Sequence, residues 1–397
     1  MTRTAHIVGG GIAGLATAVA LAGAGWSVRV FERSPGLRTT GGGIGLTPNG
    51  MRALDAIGVG DAVRARSVVQ REGGVRAPSG RWIARSGLRF VEERYGEPIR
   101  ALLRLDLVDL LNAALPAGTV HYDEAALPVA AQDGRSSALV RLGGEVLESD
   151  VVVAADGIRS AFRSAMHPGH PGLRDTGSVS WRCVVPAGGL ALSAAETWGA
   201  GLRLSILPLP GDRVHFSALA KLTGPRRRTG TGGGPEPLFG RWHDPVPQLM
   251  RRMSAQELYF DRIEELVRPL DRFFAGRVVL VGDAAHAMTP NVGSANLALE
   301  DAVELAHALA DARSWPALRS GLAAYDASRR SRTSRLSVLS RWMGRFAESS
   351  SPVAVAARDG GTWLGGFLPE AVSRRSMDTM VEWSPPRPGW FHASEVR

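Results

Sequence analysis

Three short stretches carry residue types and spacings that could do chemistry. Gly9-Gly10-Gly11-Ile12-Ala13-Gly14 fits the spacing G-x-G-x-x-G, and Glu32 stands 21 residues after Gly11. Such glycines let a backbone turn tightly and approach a pyrophosphate. The N–H groups of a following helix bind its charge, and an acid about 20 residues on accepts from a ribose hydroxyl. Asp156-Gly157-Ile158-Arg159-Ser160, with Arg163 beyond, and Gly282-Asp283-Ala284-Ala285-His286, with Pro290 and Gly293 beyond, each follow an apolar run. Alone, either is only a strand ending in a turn, since Asp-Gly is a common turn pair. The first motif predicts a bound dinucleotide and leaves NAD and FAD as alternatives.

The elements that must position these residues are legible in outline. Thr4 to Val8 reads as a buried strand, Ile12 to Ala24 as a helix stopped by Gly25, and Trp26 to Phe31 as a second strand. This order implies a parallel pair with a right-handed crossover. Val151 to Ala155 and Val278 to Val281 read as further buried strands, each delivering its motif at its end. Residues 48 to 66 suggest a helix broken by Gly58 and Gly60, and 68 to 99 suggest β-hairpin material. Leu105 to Leu115 and 317 to 347 read as helices. Val179 to Val185, Leu202 to Leu207 and Arg213 to Ala220 read as strands, the last two joined by the turn 208 to 212. A helix covers Asn296 to Asp311, with Glu300 and Asp301 placed near its start, where carboxylates suit the dipole.

The fold class expected is therefore α/β: a Rossmann-type nucleotide-binding domain with an inserted, mostly antiparallel β-sheet domain and a helical C-terminal region. The first domain is discontinuous, over 1–72, 100–177 and 270–340; the second takes 73–99 and 178–269, and 341–397 forms a C-terminal helical segment and tail.

Composition narrows the function classes. The chain has 397 residues, 44% hydrophobic and 21% charged, a normal globular balance. Its net charge is +9, yet Lys221 is the sole lysine, so the excess is arginine and reads as codon bias rather than as a nucleic-acid surface. The densest basic runs, Arg226-Arg227-Arg228 and 329 to 335, lack the interleaved aromatics of a base-stacking surface. Cys183 is the only cysteine, which allows no intrachain disulfide and suits a reducing cytoplasm. The nine histidines show neither H-x-x-x-H nor H-x-H spacing, so no metal site is expected. The apolar stretch Ala13 to Ala24 follows a glycine turn and only Arg3, unlike a signal peptide. No apolar run reaches the roughly 18 residues of a membrane span. A cytoplasmic monomer or homodimer acting on a small molecule, with no nucleic-acid or membrane partner, is the expectation.

Taken together and in this order, the three motifs resemble those of the class A flavoprotein monooxygenases, the group typified by p-hydroxybenzoate hydroxylase. The resemblance runs from about residue 4 to residue 312, with an echo at Trp383-Ser384-Pro385-Pro386. It implies that the dinucleotide is FAD and that Gly9, Gly11, Ala13 and Gly14 hold its pyrophosphate. Glu32 and Arg33 would hold the adenosine ribose, and Leu127 would contact the adenine. Gly45, in the glycine stretch Gly41 to Gly45, would lie beside the flavin, and Arg104 would reach the cofactor. Asp156-Gly157 matches a fingerprint associated with both FAD and NAD(P)H, and Asp283 would bind the ribityl chain. Pro290, Gly293, Ser294, Ala295 and Asn296 would wrap the flavin's pyrimidine end. Here the chain departs from the family pattern Pro-x-x-Gly-x-Gly-x-Asn. Pro290-Asn291-Val292-Gly293-Ser294-Ala295-Asn296 is one residue shorter and lacks the second glycine. A tighter loop would shift the ring, weaken FAD or alter reactivity toward oxygen. His286 reads as a structural hydrogen-bonding residue.

On the substrate side, Trp181-Arg182 resembles the pair that opens the family's inserted sheet. Arg203 and His215, 12 residues apart on successive strands, match the arginine and tyrosine that act on substrate in the related FAD-dependent urate hydroxylases. Histidine in the tyrosine's place argues against urate. An arginine could hold an anionic or carbonyl group, and a neutral histidine could take a phenol or N–H proton. Strand parity does not decide whether the two share a face while the register of the 208 to 212 turn is unknown. By resemblance, NADH or NADPH would reduce FAD. Oxygen would then add at flavin C4a, and the resulting hydroperoxide would hydroxylate or epoxidise an aromatic or polyketide-like molecule. The alternatives are an FAD dehydrogenase or oxidase without oxygenation, which the short loop motivates, and a non-catalytic protein keeping the fold. The Trp-x-Trp-x-Ile-Pro segment of the related halogenases is not found.

Overall fold

In a computed structural model, residues 2–36, 42–129, 137–222, 234–253, 258–365, 377–386 and 389–392 are described. Gly41 and the Arg226-Arg227-Arg228 run lie outside them.

The N-terminal run of apolar residues forms the strand Arg3–Val8 at the centre of a six-stranded sheet. Its spatial order is Phe274–Ala275, Val278–Leu280, Val151–Ala154, Arg3–Val8, Trp26–Glu32 and Val120–Tyr122. All neighbours are parallel except the first pair. Strand order reverses at Arg3–Val8, whose neighbours Trp26–Glu32 and Val151–Ala154 lie on either side of the first inserted segment. Such a switch point opens a crevice at the carboxyl ends of the strands, where ligands bind. All three motifs stand there. The helix Ile12–Gly23 is almost wholly buried, which its Ala-, Gly- and Leu-rich sequence permits.

A seven-stranded sheet holds Tyr259–Leu266, Leu173–Pro186, Arg213–Lys221, Leu202–Leu209, Ala195–Trp198, Glu72–Arg76 and Trp82–Gly87 in that spatial order. It is antiparallel apart from the pairing of Ala195–Trp198 with Glu72–Arg76. One face buries Trp181, Cys183, Leu204, Ile206, Phe216 and Ala218 against Phe239, Val246 and Leu249, a core separate from that of the parallel sheet.

Three local expectations are corrected. Arg89–Tyr95 is a helix within the stretch read as hairpin material; its C-cap Gly96 takes φ 76°, a left-handed conformation open to glycine. The helix expected from Asn296 begins at Ser294, because Gly293 at φ 72° already turns the chain into it. Glu300 and Asp301 therefore lie beyond its first turn and serve buried ion pairs rather than the helix dipole. The long helix Trp315–Ala347 passes over the same helix, and Pro352–Gly365 forms one more.

Candidate active site

The phosphate turn is shaped by close approach. A Cβ on Gly9, at φ 110°, would lie 2.3 Å from the Ala155 carbonyl oxygen, and one on Gly14 would lie 1.9 Å from that of Gly9. Neither position tolerates a side chain, so the first and second motifs sit backbone against backbone. A Cβ on Gly282 would come within 2.7 Å of the Ala13 methyl, which seats the third motif on the first. The Glu32 carboxylate accepts from Gly10 N at 2.7 Å and from Ser34 N at 2.9 Å. These bonds fix its direction at the strand end.

Around this crevice the structure gathers most of the residues singled out by sequence. Arg104 starts its helix, with its N–H on the Gly42 carbonyl oxygen at 3.0 Å, and its guanidinium lies 4.0 Å from where a Cβ on Gly11 would stand. Asp156 accepts through Oδ2 from Ala161 N at 2.8 Å, while its buried Oδ1 has no partner among the described residues. Arg163 is buried and donates to the Asp283 and Ala284 carbonyl oxygens, each at 3.2 Å, tying the second motif to the third. Asp283 is exposed, yet enough protein surrounds it that burial raises its carboxyl pKa, against the nearby charges of His286, Arg104 and Arg163. Among the described residues, no atom lies within 4 Å of a Cβ built on Gly45, so space is open there above that backbone. Leu127 and Arg33 are exposed at the outer side, with Leu127 on the edge strand Ala126–Pro128.

The loop at 290–296 is held by side chains rather than by glycines. Asn296 is buried; its Nδ2 donates to the Gly45 carbonyl oxygen at 3.2 Å and its Oδ1 accepts from Thr47 N at 3.3 Å. Its own N–H bonds to Gly293 O at 2.9 Å. Thus the asparagine side chain braces the glycine stretch. Pro290 is exposed, and Ser294 and Ala295 open the helix with no side-chain cap at Gly293.

Behind the third motif lies a buried ionic network with no spacing signature in the sequence. Arg329 pairs with Glu300 and Asp301, each at 2.7 Å, and all three side chains are fully buried. Arg332 adds a fork on Glu300, and Asn49 Nδ2 donates to the same carboxylate at 2.6 Å. Asp301 Oδ2 also accepts from Gly282 N at 2.8 Å and meets His286 Nε2 at 2.6 Å. Burial opposes the charge on Asp301, but His286 and Arg329 hold its carboxyl well below the usual range. His286 thus acts as a structural hydrogen-bonding partner.

The register of the inserted sheet settles the parity question. Leu209 pairs with Arg213 across the three-residue loop Pro210-Gly211-Asp212, so Leu207 pairs with His215 and Arg203 with Leu219. A loop of odd length keeps like parity on one face, and Arg203 and His215 share the face opposite the Phe216 core. His215 is buried against the glycine stretch: a Cβ on Gly42 would fall 2.6 Å from its Cε1. Its Nδ1 lies 3.2 Å from the Cys183 carbonyl oxygen. Burial lowers its pKa to about 4, so the ring is neutral at pH 7. A carbonyl can only accept, so Nδ1 carries the proton and Nε2 the lone pair.

Arg203 is engaged by protein groups. Nε donates to Glu196 Oε2 at 2.8 Å, Nη2 to Oε1 at 2.5 Å, and Nη1 to Asn291 Oδ1. Glu196 and Asn291 were not singled out by sequence: Glu196 stands in no motif, and Asn291 occupies a variable position of the loop pattern.

The residues present fit FAD. The unpartnered buried Asp156 Oδ1, the open space above Gly45 and the glycine cradle at 9–14 are what a dinucleotide with a flavin would complete.

Comparison with known proteins agrees. The model of the FAD binding domain matches residues 1–196 and 253–339. The chain is 34% identical to an aurachin C monooxygenase/isomerase of Stigmatella aurantiaca, over 87% of this chain and 91% of that one. It is 38% identical to a 3-amino-4-hydroxybenzoate 2-monooxygenase of Streptomyces cremeus, over 77% and 78%. Among solved structures it is similar to Klebsiella pneumoniae HpxO complexed with FAD and uric acid. That match has a TM-score of 0.84 and 25% identity, and covers 95% of this chain and 96% of that one. With three motifs converging on one crevice and a matching family model over most of its length, the chain belongs to the FAD-binding-domain family as an FAD-dependent monooxygenase of class A.

Proposed function

We propose that this monooxygenase hydroxylates or epoxidises an aromatic or polyketide-like small molecule bearing an ionisable O–H or N–H. The observation that carries the substrate class is His215. It is neutral, it is buried against Gly42 and Gly43, and its Nδ1 is committed to Cys183. The Nε2 lone pair is then the acceptor for a phenol or ring N–H proton, which makes the adjacent carbon more nucleophilic.

FAD rests on the discontinuous unit 1–72, 100–177 and 270–340, and substrate on 73–99 and 178–269. Gly9, Gly11, Ala13 and Gly14 hold the pyrophosphate, and Glu32 the ribose. Leu127 and Arg33 border the adenosine end, and Asp156 and Asp283 accept from the cofactor's hydroxyls. Arg104 supplies positive charge between the first and third motifs. Pro290, Gly293, Ser294, Ala295 and Asn296 bound the flavin's pyrimidine end, where the start of the Ser294–Leu309 helix favours negative charge. The chemistry that bound FAD supplies is acceptance of a hydride from NADH or NADPH and activation of O2 for oxygen transfer.

The test is turnover of flavin-replete enzyme with NADH or NADPH against hydroxybenzoates, aminohydroxybenzoates, quinolones and urate. The expected result is a product carrying one oxygen atom from 18O2. Consumption of NAD(P)H that yields only hydrogen peroxide with every compound sinks the substrate reading.

A further inference from the structure

The Glu196 carboxylate is saturated. Oε1 accepts from Arg203 Nη2 at 2.5 Å and Ser205 Oγ at 3.2 Å; Oε2 accepts from Arg203 Nε and Trp198 Nε1, both at 2.8 Å. The remaining arm of the guanidinium, Nη1, leaves the sheet and donates to Asn291 Oδ1. Asn291 is equally committed: Nδ2 donates to Ser340 O at 2.9 Å and Thr289 Oγ1 at 3.1 Å. Gly344 makes room, since a Cβ there would lie 2.9 Å from Asn291 Nδ2. One chain of hydrogen bonds, charge-assisted as far as Asn291, therefore runs from the inserted sheet, through the loop at 289–291, to the long helix.

We infer that Glu196 and Asn291 are positioning residues for the flavin-facing loop, acting through Arg203; this rests on the reading of residues 290–296 as that loop. The loop has one residue fewer than the family pattern and lacks its second glycine. The clamp supplies from outside what the backbone of a longer loop would settle by its own conformation. Burial opposes the charge on both partners, but each holds the other ionised: Arg203 keeps the Glu196 carboxyl below its ordinary value, and Glu196 keeps the guanidinium above its own. A bidentate carboxylate fixes the planar guanidinium in direction, which a point charge would not do. The guanidinium is thereby aimed at Asn291, and a substrate anion would have to displace Glu196 or Asn291 to reach it.

The test compares Glu196→Gln, Arg203→Lys and Asn291→Ala with wild type as purified holoenzymes. Asn291→Ala leaves the Glu196–Arg203 pair intact and removes the Asn291 side chain with its bonds to Arg203, Thr289 and Ser340, so it remains informative if either ion-pair variant fails to fold. The readouts are FAD dissociation and the circular dichroism of the bound flavin without substrate, then kcat and KM. Each variant is expected to weaken FAD roughly tenfold or more, the scale of one charge-assisted hydrogen bond. All three should change the substrate-free flavin signal in the same way and lower kcat more than they raise KM. Glu196→Gln should add little in the Asn291→Ala background, because both cut the same chain. If flavin affinity and spectrum stay at wild-type values in all three while Arg203→Lys raises KM for an anionic substrate, Arg203 is a substrate ligand and the clamp is overturned. Wild-type protein that takes up no FAD overturns the parent reading together with the clamp.

Discussion

His215 Nδ1 stands 3.2 Å from the carbonyl oxygen of Cys183 on the neighbouring strand. Burial makes the ring neutral, against this contact, which by itself favours the protonated form; the contact decides which nitrogen faces elsewhere. Its pKa in the folded protein is about 4, below the ordinary 6.5. A histidine depressed in this way favours the folded state fully above its unfolded pKa and loses that contribution as pH falls toward the folded one. Stability should therefore drop between pH 6.5 and 4, with about 2 kcal/mol of the His215 contribution gone by pH 5. His6, also lowered to about 4 by burial, adds in the same direction. Thermal unfolding at pH 7 and pH 5 checks this: His215→Asn should show a smaller pH-dependent drop than wild type, and an equal drop refutes the assignment.

The same substitution should lower kcat with a phenolic substrate by on the order of 10², the usual scale of a proton acceptor. FAD affinity should stay within a few-fold, because the flavin loop is held from elsewhere. Steady-state kinetics with FAD titration separates the two, and equal turnover of variant and wild type removes His215 from the chemistry.

Gly14→Ala should abolish FAD binding. The added methyl would stand 1.9 Å from the Gly9 carbonyl oxygen, which is backbone and cannot swing aside. The protein should purify without a visible flavin band and gain none on incubation with FAD; a yellow variant would contradict the geometry.

Glu32→Ala should be milder. It removes the acceptor for Gly10 N and Ser34 N along with the ribose contact, so FAD should bind roughly 10- to 100-fold more weakly, the cost of one lost hydrogen bond to a charged group. Fluorescence titration of the apoprotein with FAD measures it, and an unchanged dissociation constant removes Glu32 from the site.

Arg329→Met should cost about 3–5 kcal/mol, because it leaves two fully buried carboxylates, Glu300 and Asp301, without their shared cation. Denaturant unfolding measures the loss. A drop under about 1 kcal/mol would mean that Arg332 and His286 satisfy both carboxylates without Arg329.

The three motifs, the strands that end in them and the family they point to are all legible in the amino-acid sequence. Those features are local: a spacing of glycines, an acid at a strand end and a run of Val and Leu are legible wherever they stand. The face shared by Arg203 and His215 was nearly legible as well; it waited only on whether the 208 to 212 turn closes with an odd or even loop. Other features belonged to the tertiary structure alone. Glu300 and Asp301 read as helix-dipole residues until Gly293 at φ 72° started the helix early and Arg329 and Arg332 came down on them from the long helix. Glu196, Asn49 and Asn291 carry no spacing signal, because their partners lie 7, 251 and 88 residues away. The same holds for the loop at 290–296: its missing glycine is plain in the sequence, but the Glu196–Arg203–Asn291 chain that braces it forms only when sheet, loop and helix are packed together.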